Sequence, residues 1–140
     1  MAFWDSSAIV PLCCAQASTV QGRRLLAELG RMVAWWGTPV EARSAFARLT
    51  RGGLLMTPQH AKAVTLLEQL RRTWDEILPT ETVRVLAESL PDRYGLRAGD
   101  AWQLAAALVW CRERPRKRPF VCMDKRLAKA ALDLGFTVRP

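Results

Sequence analysis

Residues 119–138 read PFVCMDKRLAKAALDLGFTV, and this stretch decides the fold. PFVCMD (119–124) is an apolar run of strand length that ends on an acid. DKRLAKAALDLG then reads as a helix stopped by glycine, and FTV as a last short strand. The chain's other end repeats the pattern. AFWD (2–5) is a short buried strand ending in Asp5, and SAIVPLCCAQA is a helix that Pro11 keeps short or bent.

Between these ends, strands and helices keep alternating. STVQGRRLLAELG (18–30) is a helix with Ser18 as cap, Gly30 as stop and Val20, Leu25, Leu26 and Leu29 on its apolar side. RMVAWWG (31–37) has the length and composition of a strand buried on both faces. TPVEARSAFARLTRGG (38–53) is a helix with Thr38 as cap and Pro39 in first position. PQHAKAVTLLEQLRRTW (58–74) sets Ala61, Val64, Leu67, Leu70 and Trp74 at helical spacing, and DEILP is strand-like. TETVRVLAESLPDRYG (80–95) reads as one helix ending before Pro91. LRAGDAWQLAAALVWCRER (96–114) holds the most apolar helix. The alternation predicts an α/β sandwich around a mostly parallel sheet, in a single domain spanning 1–140.

Composition narrows the function. Half of the 140 residues are apolar and the net charge is +8, the balance of a globular domain that meets a polyanion, most often nucleic acid. The longest apolar run, LAAALVWC (104–111), is far short of a membrane span, and Asp5 interrupts the apolar start where a secretory signal would need continuity. A cytoplasmic location is expected. Cys13, Cys14, Cys111 and Cys122 form no CxxC pair and His60 is the only histidine, so a zinc site is not expected. Trp35, Trp36 and Trp110 sit in runs that read as core.

Asp5, Glu41, Asp100 and Asp124 each stand at or near the start of a predicted helix. In an open parallel sheet those positions gather at the strands' carboxyl ends. Carboxylates brought together there repel one another and call for a hard divalent cation, Mg²⁺ or Mn²⁺. Each acid alone also reads as a cap. Asp5, Asp100 and Asp124 suit N-cap positions, and T-P-V-E fits a capping box of Thr38 and Glu41.

Taken together, the segments FWDSSAIVPL, PVEARSAFARL, LRAGDAWQLAAAL and FVCMDKRLAKAALDLGFTV resemble the PIN-domain family, and within it the VapC-type toxin ribonucleases of toxin–antitoxin pairs. The resemblance spans the chain, with the order and spacing of the acids intact. It implies a PIN-like three-layer sandwich and Mg²⁺-dependent hydrolysis of RNA phosphodiesters. Asp5 and Asp100 would be the principal metal ligands, Glu41 and Asp124 would complete the set, and Ser6 would bond a ligand or the phosphate. It also implies a cognate antitoxin and a homodimer. Two positions depart from the family pattern: Ser6 stands where Thr is common, and Cys122 stands where a hydroxyl residue is common.

Basic residues supply candidate RNA contacts. Arg43, Arg48 and Arg51 follow Glu41, Arg112 to Arg118 form a basic loop with Arg116, Lys117 and Arg118 at its end, and Lys125, Arg126 and Lys129 follow Asp124. Two rival readings share these features: a PIN-domain RNA-processing nuclease outside any toxin pair, and a non-catalytic basic RNA-binding module whose acids are caps. Haloacid-dehalogenase-like phosphatases need a second Asp two residues after the first, where this chain has Ser7, and no P-loop motif occurs.

Overall fold

A five-stranded, all-parallel sheet organises the computed structural model, which describes residues 1–140. In chain order the elements are β1 (Ala2–Trp4), α1 (Ser6–Cys13), α2 (Thr19–Leu29), β2 (Met32–Trp35), α3 (Thr38–Arg51), α4 (Thr57–Arg71), β3 (Asp75–Ile77), α5 (Glu81–Glu88), α6 (Leu90–Tyr94), α7 (Ala98–Trp110), β4 (Pro119–Val121), α8 (Lys125–Leu134) and β5 (Thr137–Arg139). The strand order is β3-β2-β1-β4-β5. The chain therefore winds outward from β1 in one direction, then returns to the other side of β1 with β4 and winds out again. The α/β sandwich expected from the alternation is the observed class.

Strand alternation divides the core into two layers. Phe3, Val33, Trp35 and Phe120 face the layer covered by α5 to α8, and Ala2, Trp4, Met32, Ala34 and Val121 face the layer covered by α1 to α4. Phe3 is paired in register with both Val33 and Phe120, and its ring stacks on that of Phe120 at 5.6 Å. α7 lies against this sheet with Leu104, Ala105, Ala106 and Ala107 fully buried. No helix is long and apolar enough to cross a membrane.

Several local expectations give way to packing. The helix expected from residue 80 does end before Pro91, at Glu88, but a short second helix, α6, follows it, with Pro91 in the first turn where no N–H donor is needed. Gly37, not Thr38, caps α3, and no side-chain cap bond forms there. Ser18 stands at the cap of α2, also without a side-chain bond. Val20 is 74% exposed, while Leu25 carries the burial of α2. On α4 the buried positions are Ala63 and Leu67, and Ala61 faces solvent. Pro11, inside α1, has no N–H for the Ser7 carbonyl one turn back, and the helix ends two residues later.

Candidate functional site

The winding direction reverses between β1 and β4, which opens a crevice at their carboxyl ends. Asp5 follows β1 directly, and Asp124 follows β4 after two residues. Glu41 reaches the same crevice from the first turn of α3, and Asp100 from the first turn of α7. Together with Ser6 and Arg48 they line a cleft of about 410 Å³. An adjoining depression of about 430 Å³ shares Asp100 and Asp124 and adds Arg97, Lys125 and Arg126.

Each acid is held by its own local bonds. Asp5 is 3% exposed and caps α1. Its Oδ2 accepts from the Ser7 N–H at 3.0 Å, from the Ser7 hydroxyl, and from the Cys122 thiol at 3.7 Å. The Ser7 hydroxyl in turn accepts from the Met123 N–H at 2.9 Å, so Ser7 ties the end of β4 to Asp5. Glu41 takes no part in a capping box. Its Oε2 accepts from the Ser6 hydroxyl at 2.9 Å and its Oε1 from Gln103 Nε2 at 3.2 Å. Gln103 is fully buried on α7, and the same Nε2 donates to the Thr38 hydroxyl at 3.0 Å. Asp124 caps α8 by accepting from the Leu127 N–H at 2.8 Å. Asp100 lies inside the first turn of α7, three residues past the cap position, and is not its cap.

The electrostatics are those of unrelieved acids. Burial raises the Asp5 carboxyl, and Asp100 raises it further, against the lowering bonds from Ser7. Burial pushes Glu41 up to about 7, with Asp5 and Asp100 adding to it and the Ser6 and Gln103 bonds opposing it. Asp100 is raised by burial and by the Asp124 charge, while Arg97 and Arg126 pull it down. None of the five ion pairs of the molecule includes any of these acids. The Cys122 thiol, raised by burial and by Asp5, stays neutral beside them.

The donor chemistry fits a hard divalent cation: carboxylate oxygens in a polar cleft, without cationic partners. The spacing does not yet form a ligand set, because no group of three or more His, Cys, Asp or Glu side chains stands ready to hold one ion. Three of the acids are instead engaged by protein donors: Asp5 by Ser7, Glu41 by Ser6 and Gln103, and Asp124 by its own helix.

The expected RNA contacts divide. Arg48 lines the cleft, and Lys125 and Arg126 line its neighbour. Arg43 is exposed on α3, off the cleft-lining face that carries Glu41, Ser44, Ala45 and Arg48. Arg116, Lys117 and Arg118 lead into the amino end of β4, at the opposite end of the sheet from the cleft. Trp36, expected in the core, is 51% exposed, because β2 ends one residue earlier and no helix covers the next side chain.

Ser7, Gln103 and Arg97 belong to the site as well, beyond the residues expected from the sequence. A signal existed for Gln103: it is the lone polar residue in the buried run AWQLAAAL, and a buried amide must find partners. No family model matches the chain, and no curated protein sequence matches it.

Proposed function

We propose that this chain is a metal-dependent endoribonuclease of the PIN-domain type, the toxin component of a toxin–antitoxin pair. One observation carries the reading: Asp5, Glu41, Asp100 and Asp124, spread over nearly the whole sequence, line one cleft at the reversal point of the sheet with no basic side chain paired to them. A bound Mg²⁺ or Mn²⁺ supplies water activation and neutralises charge developing on the phosphate. Asp5 and Asp100 are assigned as principal ligands, with Glu41 and Asp124 completing the set directly or through water.

The chain's own residues do the rest. Ser7 orients Asp5, and Ser6 and Gln103 fix the two oxygens of Glu41. Arg48 on one flank, and Arg97 and Arg126 on the other, hold the RNA phosphates and offset the acidic floor. The family resemblance adds an antitoxin partner, homodimerisation and a cytoplasmic setting to this proposal.

A second reading, a basic RNA-binding module without chemistry, is favoured by a specific observation: Asp5 and Asp124 do cap their helices. Asn caps about as well as Asp at position 5, and Asp100 caps nothing, so Asp5→Asn and Asp100→Asn separate the two readings. Both variants are expected to fold and to lose Mg²⁺- or Mn²⁺-dependent cleavage of a mixed RNA pool. Cleavage at the wild-type rate in both would refute the metal-site assignment, and no cleavage by the wild-type protein in Mg²⁺ or Mn²⁺ would refute the nuclease.

A further inference from the structure

We propose that the basic turn at residues 112–118 is a second RNA-backbone contact site, separate from the cleft. Its ligand class rests on the RNA reading above. Its position does not, since α7 alone separates the two: Asp100 lies in the first turn of that helix and the turn begins just past Trp110, about 15 Å along the helix axis.

Charge is the first support. Arg112, Arg114, Arg116, Lys117 and Arg118 are all exposed, and none belongs to an ion pair. Cations gathered in so short a segment repel one another unless a polyanion meets them.

Backbone geometry is the second. Arg112, Glu113 and Lys117 have φ of 53°, 57° and 64°, and they are the only non-glycine residues of the chain with positive φ. Glycine occupies that region without strain, and long side chains do not. The turn thus holds two cationic side chains, and the one acid of the segment, Glu113, at positions where glycine would relax the backbone. Strain of this kind gathers where a side chain has a task.

The turn is also firmly built. Its N–H groups at Glu113, Arg114 and Arg118 bond the carbonyls of Leu108, Cys111 and Pro115 at 2.7, 3.1 and 2.9 Å. The Arg118 carbonyl accepts from Thr137, and its guanidinium lies 5.6 Å over the Trp110 ring. A guanidinium so placed suits phosphate oxygens. The turn carries no exposed large hydrophobic side chain, which a protein partner would need for a desolvated interface core. Nucleic-acid backbone requires charge alone.

The test is the double variant Arg112→Gly/Lys117→Gly, with binding of a 30-nucleotide hairpin RNA followed by fluorescence anisotropy in EDTA across a salt series. Removing two phosphate contacts should weaken binding about tenfold or more at 0.1 M salt and flatten the log–log salt slope by about 1.5. The melting temperature should stay level or rise, since glycine relieves the strained φ. A control, Arg71→Ser/Arg72→Ser, removes the same charge from the exposed end of α4 and should cost clearly less affinity. Unchanged RNA affinity in the loop variant, or an equal loss in the control, would overturn the proposal. So would a loss confined to polyglutamate binding, which would point to an acidic protein instead. Failure of the nuclease reading registers separately, as absence of cleavage in Mg²⁺, and leaves the EDTA measurement intact.

Discussion

Replacing Glu41 with Gln should make the protein more stable and inactive, and the size of the gain follows from the cleft. The folded chain pushes this carboxyl up to about 7 from an ordinary 4.5, chiefly by burial. Because the folded value lies above the unfolded one, the stability attached to Glu41 is fully present below pH 4.5 and is lost as pH rises through about 7. At pH 8 the penalty for ionising it reaches up to about 3 kcal/mol. Glu41→Gln removes that penalty while keeping the shape. The new amide can donate to the Ser6 hydroxyl while its oxygen keeps the bond from Gln103 Nε2. For a chain of this length the melting entropy is about 0.3 kcal/mol/K, so the variant should melt up to ~10 °C above wild type at pH 8. At pH 4.5 the two should nearly coincide. Asp5 and Asp100 are raised in the same direction, but they persist in both proteins and largely cancel in the difference. Circular dichroism melts in EDTA at the two pH values measure it, beside an RNA cleavage assay in Mg²⁺. A variant no more stable than wild type at pH 8, or a gain of equal size at pH 4.5, would refute the ionisation argument.

Three further outcomes are expected. Adding Mn²⁺ to wild type at pH 8 should raise the melting temperature, by about 2.7 kcal/mol of stability at a hundredfold excess over Kd, and the Asp5→Asn/Asp100→Asn protein should not respond. The rise should shrink at pH 5, where Glu41, pushed up to about 7, holds its proton, and a pH-independent rise would place the ion elsewhere. Ser7→Ala strips a bond from Asp5 and leaves the Met123 N–H without its acceptor, so it should cost about 1–3 kcal/mol in denaturant titration and roughly tenfold in cleavage. Loss of stability with full activity would show that Ser7 supports only the backbone. Gly37→Ala places a methyl 2.6 Å from Trp35 Nε1, and the indole must move or the turn must open. It should destabilise by about 1–3 kcal/mol and alter tryptophan fluorescence, whereas wild-type stability would mean the indole has room to shift.

The sheet was legible because β1, β2 and β4 are short apolar runs, and most of the helices between strands close on glycine or open near proline. The acids were legible as a position type for the same reason. Their surroundings were not, because local rules were outbid by long-range ones. Thr38 and Glu41 spell a capping box, yet Glu41 is claimed by Ser6 and Gln103, which lie 35 and 62 residues away in sequence. The basic loop lies away from the cleft for another reason. It stands close to Asp124 in sequence, but β4 intervenes, and even three residues of strand move the chain about 10 Å across the sheet. Trp36 fell outside the core because a side chain just past a strand's end is buried only if another element covers it.

The cap reading of these acids has a cost that the structure makes visible. Asn caps a helix about as well as Asp and carries no charge to bury. At Asp5, almost fully buried, a neutral cap would avoid the desolvation that raises this carboxyl. At Glu41 and Asp100 no cap is made at all, so capping offers nothing against the penalty. The hydroxyl and amide donors from Ser6, Ser7 and Gln103 soften that penalty without cancelling it, because none of them brings a positive charge. A cleft that keeps its carboxylates apart with neutral donors, and leaves every nearby arginine unpaired with them, is stable enough to fold and still short of countercharge. That shortfall is the property a divalent cation would relieve, and it is why the caps and the proposed metal ligands are two uses of the same side chains.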